Sequence, residues 1–223
     1  MLKVGLTGGI AAGKSVVGER FVSLGAHLVQ ADRMAHSLMQ PGEAVYNEVV
    51  RHFGGGILNP DGSVNRAKLA EIAFGAATDA EGKRASRIEE LNRIVHPAVI
   101  RSQDEWMRAI GAQDPRAVAI VEAALILEAG AVEHFDRLIV VTCNAEQRVA
   151  RFAARQKIDL EAARKEVVRR MAAQLPDEEK IKAADHVIDN SGSLDQSREQ
   201  VRVVWEKLRQ EADKSSRRAE LSF

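Results

Sequence analysis

The 223-residue chain carries one cysteine, Cys143, so it forms no internal disulfide and implies no oxidising compartment. Its place at the end of "LIVVTC" reads as a small buried residue. Long hydrophobic runs are missing as well: nothing approaches the roughly 18 apolar residues of a membrane span. The opening "MLKVGLTGGIAAG" runs into glycines rather than a signal-peptide cleavage site. These absences predict a cytoplasmic protein with no membrane partner. Excess charge of one sign is absent too, since 32 basic and 32 acidic side chains cancel. No global field recruits nucleic acid, and none is expected as a partner. Clusters of Cys and His at metal-ligand spacing, a G-x-S-x-G nucleophile elbow, internal repeats and low-complexity tracts are likewise missing. What is present is an ordinary globular composition, 45% apolar and 29% charged, long enough for one large α/β domain with insertions.

The pattern along the chain alternates strand and helix. "LKVGLT" (2–7) breaks into glycines and then into "KSVVGERFVSLG", where Val16, Val17, Phe21 and Leu24 keep helical spacing until Gly25. Further strands are expected at 26–31, 116–123, 137–143 and 185–190, and five strands separated by helices predict a parallel sheet. A core of about 1–40, 116–143 and 185–210 is expected, with a helical insertion at about 41–115 that Pro97 bends or splits. A second helical excursion, about 144–184, is rich in Arg and Ala and poor in large apolar residues, which suits a mobile lid. The polar tail "EADKSSRRAELSF" is expected to fray, and Trp106 and Trp205 to pack in cores or between helices.

One stretch carries chemistry. Gly8, Gly9, Ile10, Ala11, Ala12, Gly13, Lys14 and Ser15 spell G-x-x-x-x-G-K-[ST] between a strand and a helix, with Val16 next. Such a loop curls backbone N–H groups around a triphosphate, its lysine bridges the β- and γ-phosphates, and its hydroxyl ligates Mg²⁺. A nucleoside triphosphate with Mg²⁺ is therefore the expected ligand, and the loop by itself leaves a kinase, an ATPase and a switch open. Asp32, just past the second strand, either accepts a proton from an attacking hydroxyl or caps the following helix. His36, four residues on, either touches the same ligand or is an ordinary surface histidine. Glu122, at the end of the third strand, holds a magnesium water or supports the loop serine, and Glu128 is a weaker candidate of the same kind. Arg148, Arg151 and Arg155 share one helical face and either close over phosphates or are simply solvated. His96, before Pro97, reads a ligand or merely precedes a helix breaker.

Taken in order, "GLTGGIAAGKS", "ADRMAHSLM", "HFGGGILNPDGSVNRAKLAEIAF", "LNRIVHP", "AALILEAG", "CNAEQRVARFAAR", "RRMAAQ" and "ADHVIDNSG" resemble the dephospho-coenzyme A kinase family, from about Leu2 to Trp205. The resemblance implies a P-loop fold, an α/β five-stranded parallel sheet with a helical acceptor-binding insertion and a lid. It also implies ATP-dependent phosphorylation of the ribose 3′-hydroxyl of dephospho-CoA, the last step in making coenzyme A. In that pattern Asp32 is the base or orienter, Lys14 and Ser15 hold Mg·ATP, and Arg151 or Arg155 closes from the lid. Arg66 and His96 contact the CoA moiety, and Asn190 lies by the adenine.

The chain departs from the family pattern at Ala11-Ala12 (usually Gly-Ser), Val16 (Thr), Gln30 (the first Asp of D-A-D), Glu122 (Asp) and Ala124 (Pro). An alanine needing positive φ costs on the order of 1 kcal/mol. Another P-loop small-molecule kinase and an inactive binding protein are the neighbouring readings. A GTP switch would need an N-K-x-D guanine reader, which the chain lacks; its D-x-x-G sequences at 79–82 and 189–192 read as turns.

Overall fold

The computed structural model describes residues 1–74 and 86–220, with side chains to 217. One expectation, the turn at 79–82, lies outside the described residues. The chain divides into two compact units, Met1–Gln30 with the chain from Met107 onward, and Ala31–Trp106.

The first unit is built on five parallel strands: β1 (Leu2–Gly8), β2 (His27–Gln30), β3 (Val118–Glu122), β4 (Arg137–Thr142) and β5 (His186–Asp189), in the order β2-β3-β1-β4-β5. All five expected strands are present. β1 is central and β3 and β4 flank it, so the faces of these three strands are buried, which is why they read as apolar runs rather than alternating ones. The register sets Leu6 beside Glu122 and Gln30 beside Glu122, bringing the ends of β1, β2 and β3 level. Helix α1 (Lys14–Ser23) and helix α9 (Leu194–Glu220) cover one face: Val17 and Phe21 from α1 and Val201, Val204, Leu208 and Ala212 from α9 pack on Val4, Leu6, Ile120, Ile139 and Ile188. Trp205 lies against this core, half-buried.

Through Glu220 the tail departs from the expected fraying, and its last three residues lie outside the described ones. α9 runs through to Glu220, and Ala212 and Ser216 are buried, so the segment after Leu208 is held by small residues rather than frayed. The segment 144–184 forms helices α6 (Ala145–Gln156), α7 (Leu160–Ala172) and α8 (Asp177–Lys182). Asn144 and Asp159 cap the first two through their side-chain oxygens. Val149, Phe152, Ala153, Ala163 and Val167 pack together with Ile10 of the glycine loop.

The second unit holds α2 (Ala31–Leu38), α3 (Ala44–Phe53), α4 (Arg66–Ala73) and the start of α5 (Ile88–Gln113). Its core gathers Val45, Val49, Phe53, Ile57, Leu69, Val95 and Val99. Pro97 does not split its helix: α5 continues through it. Proline removes one backbone donor, and the burial of Val95, Ala98 and Val99 around it offsets that loss. Among the described residues no helix is long and apolar enough to cross a membrane.

Candidate functional site

The glycine loop leaves β1 at Gly8 and enters α1 at Lys14. A side chain at Gly8 would place its Cβ 2.2 Å from the Val141 carbonyl oxygen, and one at Gly13 (φ 95°) would meet the Asn190 amide at 2.1 Å. Both positions therefore require glycine for space, and Gly13 also for its left-handed backbone. Ala11 adopts φ 54° without that freedom. It is half-buried against the Ile10–Phe152 cluster.

Two features equip this loop for phosphate. The N–H groups of Ile10, Ala11 and Gly13 donate to nothing among the described residues, while the N-terminal end of α1 adds its dipole. Lys14 extends back over the loop, its Nζ donating to the carbonyls of Gly8 (2.9 Å) and Gly9 (3.2 Å). Val16, in the first turn of α1, is 55% exposed.

Beside the loop, the Ser15 hydroxyl donates to Glu122 Oε1 at 2.8 Å, and Gln30 Nε2 donates to Glu122 Oε2 at 2.9 Å. Glu122 is buried at the carboxyl end of β3. The donor set is one hydroxyl and one carboxylate, both hard oxygen ligands, with no group of three or more His, Cys, Asp or Glu that could hold a metal ion among the described residues. That fits Mg²⁺, which keeps most of its waters and is held by one or two protein oxygens plus substrate phosphates. It does not suit Zn²⁺ or Cu²⁺, which would draw His or Cys, whereas Mn²⁺ shares the oxygen preference of Mg²⁺.

The loop's other wall comes from α6 and the β5–α9 turn. Asn190 is buried: its Nδ2 donates to the Ala12 carbonyl at 2.9 Å, and its Oδ1 accepts from the Ser197 hydroxyl at 2.8 Å. Arg151 is half-buried, donating to the carbonyls of Asn190 (2.9 Å) and Ala12 (3.3 Å) and to Cys143 Sγ (3.2 Å). Cys143 is buried as expected, and that burial pushes its thiol pKa up. Asn190 heads a turn after β5, as the second D-x-x-G sequence predicted.

The arginine stripe splits three ways. Arg155 is exposed, its guanidinium 5.6 Å from the Phe152 ring. Arg148 is not solvated: at 1% exposure it donates to the carbonyls of Cys143 (2.9 Å) and of Ile10 in the glycine loop (3.3 Å) and pairs with Asp177. Sequence reasoning placed it on the right helix face but missed its partner Asp177, 29 residues on. Glu128 likewise is no surface carboxylate; it lies 2.9 Å from the fully buried Lys180 ammonium and accepts from the Leu175 N–H. No local signal marks Lys180 as buried.

The remaining candidates sit in the second unit. Asp32 is the second residue of α2, exposed, and is not its cap. His36 is exposed one turn on, with Gln40 Nε2 donating to its carbonyl at 3.1 Å. Arg66 opens α4, directly after the capping Asn65. His96 keeps an exposed face, while the packing around its ring desolvates the imidazolium and lowers its pKa.

A five-stranded parallel sheet in this order, with a phosphate loop leaving β1, a carboxylate ending β3 and helices on its face, defines a P-loop kinase fold. The comparisons carry the assignment further. A family model described as dephospho-CoA kinase matches residues 2–196. The dephospho-CoA kinase of Aquifex aeolicus is 37% identical over 208 residues, 93% of this chain and 98% of that one. Among solved structures, TT1252 from Thermus thermophilus superposes with a TM-score of 0.74 at 30% identity, covering 93% of this chain and 97% of its own. The dephospho-CoA kinase from Campylobacter jejuni gives 0.57 at 25%, covering 92% and 96%. The chain belongs to the dephospho-CoA kinase family.

Proposed function

We propose that this chain transfers the γ-phosphoryl group of ATP to the ribose 3′-hydroxyl of dephospho-CoA, giving coenzyme A and ADP in the cytoplasm. The observation that carries the phosphoryl-transfer chemistry is the loop: donor N–H groups at Ile10, Ala11 and Gly13 in one turn with Lys14, beside a Ser15–Glu122 pair at 2.8 Å. Family membership supplies the acceptor.

Lys14 and the loop amides bind the β- and γ-phosphates and oppose the charge that spreads over the transferred group. Ser15 and Glu122 are the residues that would hold Mg²⁺, which would supply charge neutralisation to the phosphates. The acceptor oxygen forms its bond to the γ-phosphorus as the bond to the β–γ bridging oxygen breaks, and Asp32 takes the hydroxyl proton. Arg151 and Arg155 of the lid add positive charge and exclude water, the competing acceptor. His36, together with Arg66 and His96 in a helical insertion of about 41–115, is assigned to the acceptor side. Asn190 serves the nucleotide through the loop, because both ends of its amide are held by protein groups.

ADP release from Mg·ATP, with dephospho-CoA compared against adenosine, a nucleoside monophosphate and buffer, tests the reading. Release that depends on dephospho-CoA is expected. Release with another acceptor instead would keep the kinase chemistry and overturn the substrate. Asp32→Asn is expected to keep ATP binding and lose most turnover; unchanged turnover would remove Asp32 from the proton-accepting role.

A further inference from the structure

Glu122 is held from both sides, and only one of its partners belongs to the phosphate loop. Ser15 Oγ donates to Oε1, while Gln30 Nε2 donates to Oε2 and stands 3.4 Å from Ser15 Oγ. The contact follows from the ladder: Gln30 ends β2 directly opposite Glu122 at the end of β3. Side chains at such a register pair are neighbours, and a carboxylate at position 30 would face the Glu122 carboxylate with like charge. Gln30 instead brings a neutral donor. Each carboxylate oxygen then has one hydrogen bond, and the carboxylate is fixed by protein groups alone.

We infer that Gln30 is a positioning residue for the divalent cation of the reaction: it locks the Glu122 carboxylate in the orientation that holds the Ser15 hydroxyl, so the two oxygen ligands are set before a metal·nucleotide complex arrives. This rests on the phosphoryl-transfer reading above. It makes the site one of single negative charge, with a hydrogen-bonded carboxylate where two carboxylates would otherwise need a cation between them. Outer partners of a metal-holding carboxylate change metal affinity by about 10- to 100-fold when removed.

The test is Mn²⁺ binding to the protein·ADP complex, followed by electron paramagnetic resonance, in the wild type, Gln30→Met, Glu122→Gln and the double variant. Gln30→Met keeps the side chain's length and removes the donor. It is expected to weaken Mn²⁺ about tenfold while leaving metal-free ADP affinity unchanged, and to raise the Mg²⁺ concentration for half-maximal turnover without raising KM for dephospho-CoA. In the Glu122→Gln background the same change should add less than a twofold effect, because Gln30 acts through that carboxylate. Mn²⁺ affinity of Gln30→Met within twofold of wild type overturns the inference, as does an equal loss in both backgrounds. Gln30→Asn, which keeps the amide on a shorter arm, covers the case in which the Met variant does not fold: weakening of threefold or more supports the inference, and wild-type affinity overturns it. If the wild-type ADP complex itself binds no Mn²⁺, the metal assignment to Ser15 and Glu122 falls, and this inference with it. A wild type that binds Mn²⁺ normally beside an unaffected variant removes Gln30 alone.

Discussion

Replacing Asn190 with alanine separates two ways in which this residue could serve a nucleotide. Its amide is buried and engaged at both ends, to the Ala12 carbonyl and from the Ser197 hydroxyl. Truncation removes two hydrogen bonds worth about 1 kcal/mol each and leaves a buried acceptor, Ala12 O, with only the longer contact from Arg151 at 3.3 Å. Ser197 loses its acceptor as well. The expected loss is about 2–3 kcal/mol, or about 4–12 °C in melting temperature for a chain of this size. A fold with about 5–15 kcal/mol of stability survives it. Urea unfolding followed by tryptophan fluorescence measures the loss. Ligand binding tells what the residue does: with Ala12 untethered, the loop amides lose their fixed arrangement, so ATP and inorganic tripolyphosphate should weaken together, about five- to tenfold each. A variant that loses ATP affinity but binds tripolyphosphate like the wild type would refute the reasoning and put Asn190 on the adenine. A stability change below about 0.5 kcal/mol would refute the hydrogen-bond accounting itself.

Ala11 sits at φ 54°, a conformation that costs a non-glycine residue about 1–2 kcal/mol, partly offset by the entropy glycine loses on folding. Ala11→Gly is therefore expected to stabilise by about 0.5–1 kcal/mol in chemical denaturation, and destabilisation would show that the alanine is unstrained. Lys180 is fully buried beside Glu128, so Lys180→Met should cost about 3 kcal/mol by stranding a carboxylate, and adding Glu128→Gln should recover part of it; a neutral single variant would mean the pair is not desolvated. In the second unit the Glu90 carboxyl is held down at about 2 by hydrogen bonds from Arg87 and His52. Its folded value lies below the ordinary 4.5, so its contribution is present above about pH 4.5 and is lost as pH falls toward 2. Carboxyl-resolved NMR titration reads this directly, and a Glu90 midpoint near 4.5 would contradict the geometry.

The strands were legible because burial on both faces gives β1, β3 and β4 apolar runs, with glycine breaking the first of them at the loop. The loop itself was legible for a related reason: its glycines, lysine and serine act within eight residues of chain. What escaped was set by distant partners. α9 continues beyond its last large apolar residue because Ala212 joins the sheet core and Ser216 is buried, and small residues carry no hydrophobic signature. Arg148 looked like part of a solvated stripe because its acceptor at Ile10 lies 138 positions away and its ion partner Asp177 lies 29 away. α5 runs through Pro97 because tertiary packing of its flanks outweighs one missing backbone bond.

The same distinction changes how the substitutions near the loop are understood. Taken along the chain, Gln30 and Glu122 are two unrelated departures from an aspartate pattern, each weakening the expectation of a working site. Across the β2–β3 ladder they are one arrangement: the longer Glu122 side chain reaches Ser15 at 2.8 Å, and the amide opposite it satisfies the oxygen left over. Ala124 is similar in kind. Its carbonyl accepts from the Thr7 hydroxyl at 3.3 Å, a bond that depends on the backbone and not on a proline ring. Ala11 alone retains a local cost, in its backbone rather than in any lost contact. A compensated pair, a substitution at a backbone acceptor and one modest strain leave Lys14, Ser15 and the loop amides in place, which is the arrangement an active phosphoryl-transfer site requires.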